Sequence, residues 1–257
     1  ATCLNATPDY SPFITVTDDC DMNPTIVQIP PTGTMLGVGM HEIKLVATDA
    51  AGNASDTCRF TLNNIDSADP TAVCQDITIF LDGSGSASIT AGDVDGGSND
   101  NCSVASLSVT PNSFDCDDIA TNPNMVTLTV TDASTNTASC MAAVTVRDTI
   151  RPVLTCQDAA YDLDGAGEFT LFLGLVMQDI IVSNTDNCEL VAGLPGIGIT
   201  QFAFTCDDLG DNTITVFNND VNGNQGSCTI TLTIADPNAF CCAAPVASCT
   251  GTTVELD

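Results

Sequence analysis

Positive charge is almost missing from this chain of 257 residues: four Lys and Arg stand against 33 Asp and Glu, a formal net charge of −29. Such a polyanion is repelled by nucleic acid and by anionic lipid surfaces, so neither is an expected partner. Histidine occurs once, as His41 in an alternating strand pattern, tryptophan does not occur, and aromatics make up 5%. With one imidazole and no Gly-x-Ser-x-Gly elbow, the chain is read as no enzyme. Gly83-Ser84-Gly85-Ser86 is a polar turn, and the carboxylate pairs Asp117-Asp118 and Asp207-Asp208 sit at equivalent repeat positions, which points to structure. A Cys-x-x-Cys pair is also missing, which argues against zinc. No apolar run approaches a membrane span, so membrane insertion is not expected; the amino terminus has no basic residue leading an apolar segment, so the sequence is a processed chain or an excerpt.

What is present is cysteine, 14 in all, together with abundant Thr, Val, Ser and Ala. Cysteines recurring at matched spacings point to an oxidising compartment, so the protein is read as extracellular or cell-surface. The β-branched composition favours many short strands, and almost no helix is expected, with Leu173 to Ile181 ambiguous. The acidic residues are spread among turns, where they serve solubility and mutual repulsion of neighbouring fibres or cells, or divalent cation binding.

One stretch occurs three times: Pro70-Thr71-Ala72-Val73-Cys74 to Leu81-Asp82, Pro152-Val153-Leu154-Thr155-Cys156 to Leu163-Asp164, and Pro245-Val246-Ala247-Ser248-Cys249 to Leu256-Asp257. The first two are followed by a domain's worth of chain, whereas residues 1–62 look like a domain body without such a strand in front. A turn Asp recurs at 49, 132 and 220, intervals right for a bead of about seven strands. The alternating strand 41–47 and the turn 48–53 before Cys58 form a hairpin signature.

The Pro-x-x-x-Cys opening, Asp-Asn-Cys at 100–102 and 186–188, and the Asp-x-x-Gly-Asn-type turn before the last strand resemble the HYR (hyalin repeat) module of secreted bacterial surface proteins. Thr135 stands where that turn usually has Gly, and unit one has Asp18-Asp19-Cys20. The resemblance implies an all-β chain of tandem immunoglobulin-like β-sandwiches, three beads, with a structural or adhesive role and no catalytic residues. The units would be 1–65, lacking its first strand; 70–147; 152–236; and 237–257, a linker and C-terminal donor strand. Four cysteines in a unit allow three pairings. In a sandwich of this kind adjacent first and last strands favour Cys74 with Cys140 and Cys156 with Cys228, leaving Cys102 with Cys116 and Cys188 with Cys206. By the same logic Cys3 pairs with Cys20, and Cys58 is left over. Cys241 and Cys242 are adjacent; whether they bond each other or a neighbouring chain stays open.

No cofactor is required, but calcium is a candidate, with Asp66, Asp69, Asp148 and Asp236 in the linkers as its ligands. Ser67 and Thr149, in Asp-Ser/Thr-aliphatic linkers, resemble bacterial O-glycosylation acceptors, and Asn5, Asn53 and Asn101 head Asn-x-Ser/Thr sequons. The expected function is that of a structural subunit of an extracellular filament, a head-to-tail homopolymer. In it Pro245, Val246, Cys249, Val254 and Leu256 of one copy complete unit one of the next, with Cys249 beside Cys58. The alternative is a stalk segment of a long adhesin of continuous repeats, binding glycans or other cells.

Overall fold

The computed structural model describes residues 3–191 and 196–241. The described chain is mostly β, with strands arranged in sandwich-like sheets, and it divides into two compact units. The first comprises residues 1–78, 88–113 and 123–145; the second comprises 79–87, 114–122 and 146–257.

The strands through the first half are β1 (Asn5–Ala6), β2 (Thr25–Ile29), β3 (Met35–Leu36), β4 (Gly39–Thr48), β5 (Cys58–Asn64), β6 (Ile77–Phe80), β7 (Ser86–Ser88), β8 (Val104–Thr110), β9 (Ser113–Asp115), β10 (Asn124–Asp132) and β11 (Thr137–Arg147). In the first unit β2-β4-β5 form a three-stranded antiparallel sheet and β1 pairs with β3. A second sheet, ordered β6-β11-β10-β8, lies mainly in this unit. Period-2 alternation decides which faces are inside: Ile43, Leu45 and Ala47 on β4, and Val126, Leu128 and Val130 on β10, are buried while their neighbours are not.

In the second unit, β12 (Val153–Cys156), β13 (Ala159–Asp162), β14 (Glu168–Thr170), β15 (Ile181–Thr185), β16 (Ile197–Ile199), β17 (Ala203–Thr205), β18 (Gly210–Asn219) and β19 (Gln225–Ala235) enclose one apolar cluster around Phe204, Leu232 and Ile214. The opening strand of the repeat is split: β12 pairs antiparallel with β15, then β13 pairs parallel with β19, the last strand. Between them, Asp158 accepts the Thr231 N–H at 2.7 Å, which satisfies an amide that β13 does not reach. The ambiguous stretch is helical over Leu173–Ile180.

Among the described residues five disulfides join Cys3–Cys102, Cys74–Cys140, Cys116–Cys188, Cys156–Cys228 and Cys206–Cys241. Two of them tie a first strand to a last strand. The expected pairs Cys3–Cys20, Cys102–Cys116 and Cys188–Cys206 do not form, for one reason in all three cases. Cys102 lies near the Asp132 end of β10, since Val104 pairs with Asp132, whereas Cys116 leads through a short helical turn into its Asn124 end. Cys188 likewise lies near the Asp220 end of β18, through the Leu190–Asp220 bridge, and Cys206 precedes its Gly210 end. Asp21 accepts the Ala50 N–H just past the Thr48 end of β4, while Cys3 leads into β1, whose partner β3 precedes the Gly39 end. Strands of 9 to 10 residues separate each pair by about 30 Å, far beyond the roughly 7 Å Cα limit of a disulfide. Cys20 and Cys58 are exposed and have no disulfide partner among the described residues. The five loops overlap in series, each beginning before the previous one closes.

Candidate functional site

Two features stand apart from ordinary packing. The first is an open sheet edge in the first unit. Beyond β11 lies β6, and beyond β19 lies β13, but β5 ends its sheet with no strand beyond it among the described residues. Counting from the last-strand cysteines Cys58, Cys140 and Cys228, Phe60 corresponds to Ala142 and Ile230, and Leu62 to Val144 and Leu232. The four counterparts are buried, while Phe60 and Leu62 are only half-buried. Beside this edge runs a groove of about 450 Å³ whose lining includes Ile14, Val16, Leu45, Ala47 and Cys58. Cys58 therefore presents a free thiol where Cys140 and Cys228 are bonded to first strands.

The second feature is a carboxylate cluster that appears twice. Asp66, Asp100 and Asp132 bring carboxylate oxygens within 4.8 Å of one another in the first unit, and Asp148, Asp186 and Asp220 do so in the second. Each cluster takes one Asp from a linker, one from the Asp-Asn-Cys turn and one from the hairpin turn. The hairpin turn forms because its Asp accepts two backbone N–H groups: Asp132 those of Ser134 and Asn136, at 2.9 and 2.7 Å, and Asp220 those of Asn222 and Asn224, at 2.9 and 2.8 Å. The following Asn side chains then reach the linker carbonyls, Asn136 to Asp66 and Asn224 to Asp148. Asn101 donates to Asp66 Oδ1 at 3.2 Å, and Asn187 to Asp148 Oδ1 at 3.1 Å.

The bonds to Asp66 Oδ1 and Asp148 Oδ1 use up one side of those two carboxylates, whereas both oxygens of Asp132 and of Asp220 accept, Oδ2 from the side chains of Asn136 and Asn224. Asp66 Oδ2, Asp100 Oδ1, Asp148 Oδ2 and Asp186 Oδ1 are left buried without a hydrogen-bond donor, as is Asn187 Oδ1. No ion pair reaches these carboxylates among the described residues; the pairs there are Lys44–Glu42 and Arg59–Glu42. Burial, opposed in part by the Cys188 N–H and reinforced by the charges of Asp148 and Asp220, pushes the Asp186 carboxyl up from its ordinary value.

The remaining sequence candidates are scattered. Asp69 is exposed and belongs to neither cluster, and Asp236 caps its own turn by accepting the N–H groups of Phe240 and Cys241. Ser67 and Thr149 are exposed. Asn5, Asn53 and Asn101 are exposed with their amide nitrogens donating to Asn64, Asp49 and Asp66. His41 Nε2 is 2.7 Å from the Gly37 carbonyl, a structural contact. Cys242, Pro245, Val246, Cys249, Val254 and Leu256 lie outside the described residues. Sequence reasoning overlooked Asp100, Asp132, Asp186 and Asp220 as ligand candidates, although each recurs at a fixed position in its repeat.

Residues 11–64 match the family model described as HYR domain. No curated protein matches the chain. Among solved structures, the chain is similar to protocadherin gamma B7 extracellular cadherin domains 1-4, at 13% identity over 78% of this chain and 59% of that one, with a TM-score of 0.31. It is also similar to PcdhgB3 EC1-4, at 14% over 84% and 65% with a TM-score of 0.31, and to mouse cadherin-23 EC22-24, at 12% over 85% and 89% with a TM-score of 0.31. The chain thus spans less than two thirds of the first two. At that identity and TM-score the likeness bears on neither ligand nor activity.

Proposed function

We propose, from the premise that residues 11–64 are a HYR domain, that this protein is a structural subunit of an extracellular filament, in which each copy adds a strand to the next. The observation that carries the reading is the open edge of β5 beside the groove at Cys58. An unpaired edge and a half-exposed core face are costly in water and are relieved by strand addition. The occupant is residues 245–257 of a second copy, whose Pro-x-x-x-Cys opening and Leu-Asp ending match in spacing the segments 70–82 and 152–164 that open the other two repeats. Because Cys74 bonds Cys140 and Cys156 bonds Cys228, the same register brings Cys249 of the donor to Cys58 of the acceptor. A contact of this type is head-to-tail and does not close on itself, so it propagates.

Cys20 supports the same joint. Its counterpart Cys188 is bonded to Cys116 of the preceding repeat, and Cys206 is the counterpart of Cys116 in the last repeat. A Cys20 thiolate attacking the Cys206–Cys241 bond of the donor copy would form Cys20–Cys206 and release the Cys241 thiolate, an exchange that needs no added oxidant.

Gels and electron microscopy of the purified chain test the reading. In air-saturated buffer, where oxygen takes the two electrons released as Cys58 and Cys249 close, wild type should give a non-reducing ladder in steps of 26.4 kDa that collapses to one band on reduction, and Cys58→Ser or Cys249→Ser should remove the rungs that depend on that bond. A soluble monomer whose Cys58 alkylates freely, with no filaments, would refute strand addition. A species of several hundred kDa from native material that survives reduction would instead support the stalk of continuous repeats.

A further inference from the structure

We propose that the two carboxylate clusters are calcium sites, one formed by Asp148, Asp186 and Asp220 and one by Asp66, Asp100 and Asp132. The proposal is independent of filament assembly, because each cluster is built from one chain. Its basis is the pattern of unmet hydrogen-bonding capacity. Asp148 is 8% exposed, its Oδ1 accepts from Ile150 N–H and the Asn187 side chain, and its Oδ2 is buried and unpartnered. Asp186 repeats the arrangement, with Oδ2 taking the Cys188 N–H and Oδ1 left bare. The first unit reproduces both features: Asp66 Oδ1 accepts from Ala68 and Asn101 while Oδ2 is bare, and Asp100 Oδ2 takes the Cys102 N–H while Oδ1 is bare. Finding the same bare atoms at the same repeat positions in both units argues against accident.

Three carboxylates drawn together without a counter-charge would be strongly unfavourable; a bound cation removes that penalty. Neither Lys nor Arg supplies it among the described residues. The donors are hard oxygens with no imidazole or free thiolate among them, which selects against zinc and copper and for calcium. Three oxygens each within 4.8 Å of the others share a centre no more than about 2.8 Å from each, close to the calcium–oxygen range of about 2.3–2.6 Å. Asn187 Oδ1, also bare, adds a neutral oxygen in the second unit. A pocket of about 190 Å³, lined in part by Asp66 and Asn101, borders the first cluster.

The test is calcium titration of chelator-treated protein by calorimetry and equilibrium dialysis, in about 0.15 M NaCl to screen diffuse attraction to the −29 charge. Two saturable ions per chain are expected, with dissociation constants of about 10⁻³ M or tighter. Asp186→Asn and Asp100→Asn each keep an acceptor for the neighbouring Cys N–H and should leave one ion; the double variant should bind none. Circular dichroism without calcium should be the same for all four proteins, which separates loss of ligand from loss of fold. Absence of saturable binding, two ions retained by the double variant, or magnesium bound as tightly as calcium would each overturn the assignment.

Discussion

Tension applied to the two ends of the described chain should travel through disulfides more than through backbone. From Cys3 the covalent route crosses to Cys102, follows the backbone to Cys116, crosses to Cys188, follows the backbone to Cys206 and crosses to Cys241. Only the segments 102–116 and 188–206 can be drawn out, whatever unfolds. At about 3.4 Å per residue they cap the span from Cys3 to Cys241 at roughly 120 Å including the bridges. After reduction the whole backbone between those two cysteines allows roughly 800 Å. Pairing inside each repeat would give an intermediate value: with Cys3–Cys20, Cys74–Cys140 and Cys156–Cys228, the route follows segments 20–74, 140–156 and 228–241, a limit of roughly 300 Å. Force spectroscopy with handles at the chain ends, in the absence and presence of reductant, distinguishes the three lengths. An oxidised limit at the intermediate value, or one that reduction does not change, would refute the serial arrangement.

Thr135 has φ 74° at the turn position where Gly52 and Gly223 have φ 90° and 91°; Thr135→Gly should relieve about 1–2 kcal/mol of left-handed strain against about 0.5–1 kcal/mol of added unfolded-state entropy, a small net gain in denaturant melts. Gly226 lies beneath β12 so closely that a Cβ would collide with the Pro152 carbonyl. Gly226→Ala should therefore cost about 1–3 kcal/mol, whereas Gly165→Ala, with nothing within 4 Å, should change stability by less than about 0.5 kcal/mol. Burial, then the Asp179 hydrogen bond, pushes the Tyr161 hydroxyl up to about 12 from 10.0. The fold thus favours its neutral form, and this contribution, complete below pH 10, is lost as pH rises through about 12. The difference in phenolate absorbance between wild type and Tyr161→Phe should have its midpoint near 12; a midpoint near 10 would contradict the burial argument.

Strand content was legible because alternation writes it directly: the stretch 41–47 is β4, and 126–130 is β10. The bonds of Cys74 and Cys156 follow from first and last strands lying together. The other cysteines were not legible, since spacing along the chain does not say at which end of a long strand a cysteine falls. The carboxylate clusters were half visible. Linker residues Asp66 and Asp148 stand out in sequence, but their partners, Asp100 and Asp132 for the first and Asp186 and Asp220 for the second, sit in two later turns of the repeat. Only the fold of the hairpin turn back toward the linker brings them together. Residues 245–257 read as a strand from their pattern alone.

The serial overlap of the disulfide loops also bears on damage. Every peptide bond from Cys3 to Cys241 lies inside at least one closed loop. A protease that cuts a turn, at Gly83 or Asn222 for example, interrupts the two loops that overlap there and releases no fragment. Loss of material between those cysteines therefore requires at least two cuts, or one cut together with a reductant, and a chain nicked once in the environment keeps its mass and its connection from end to end.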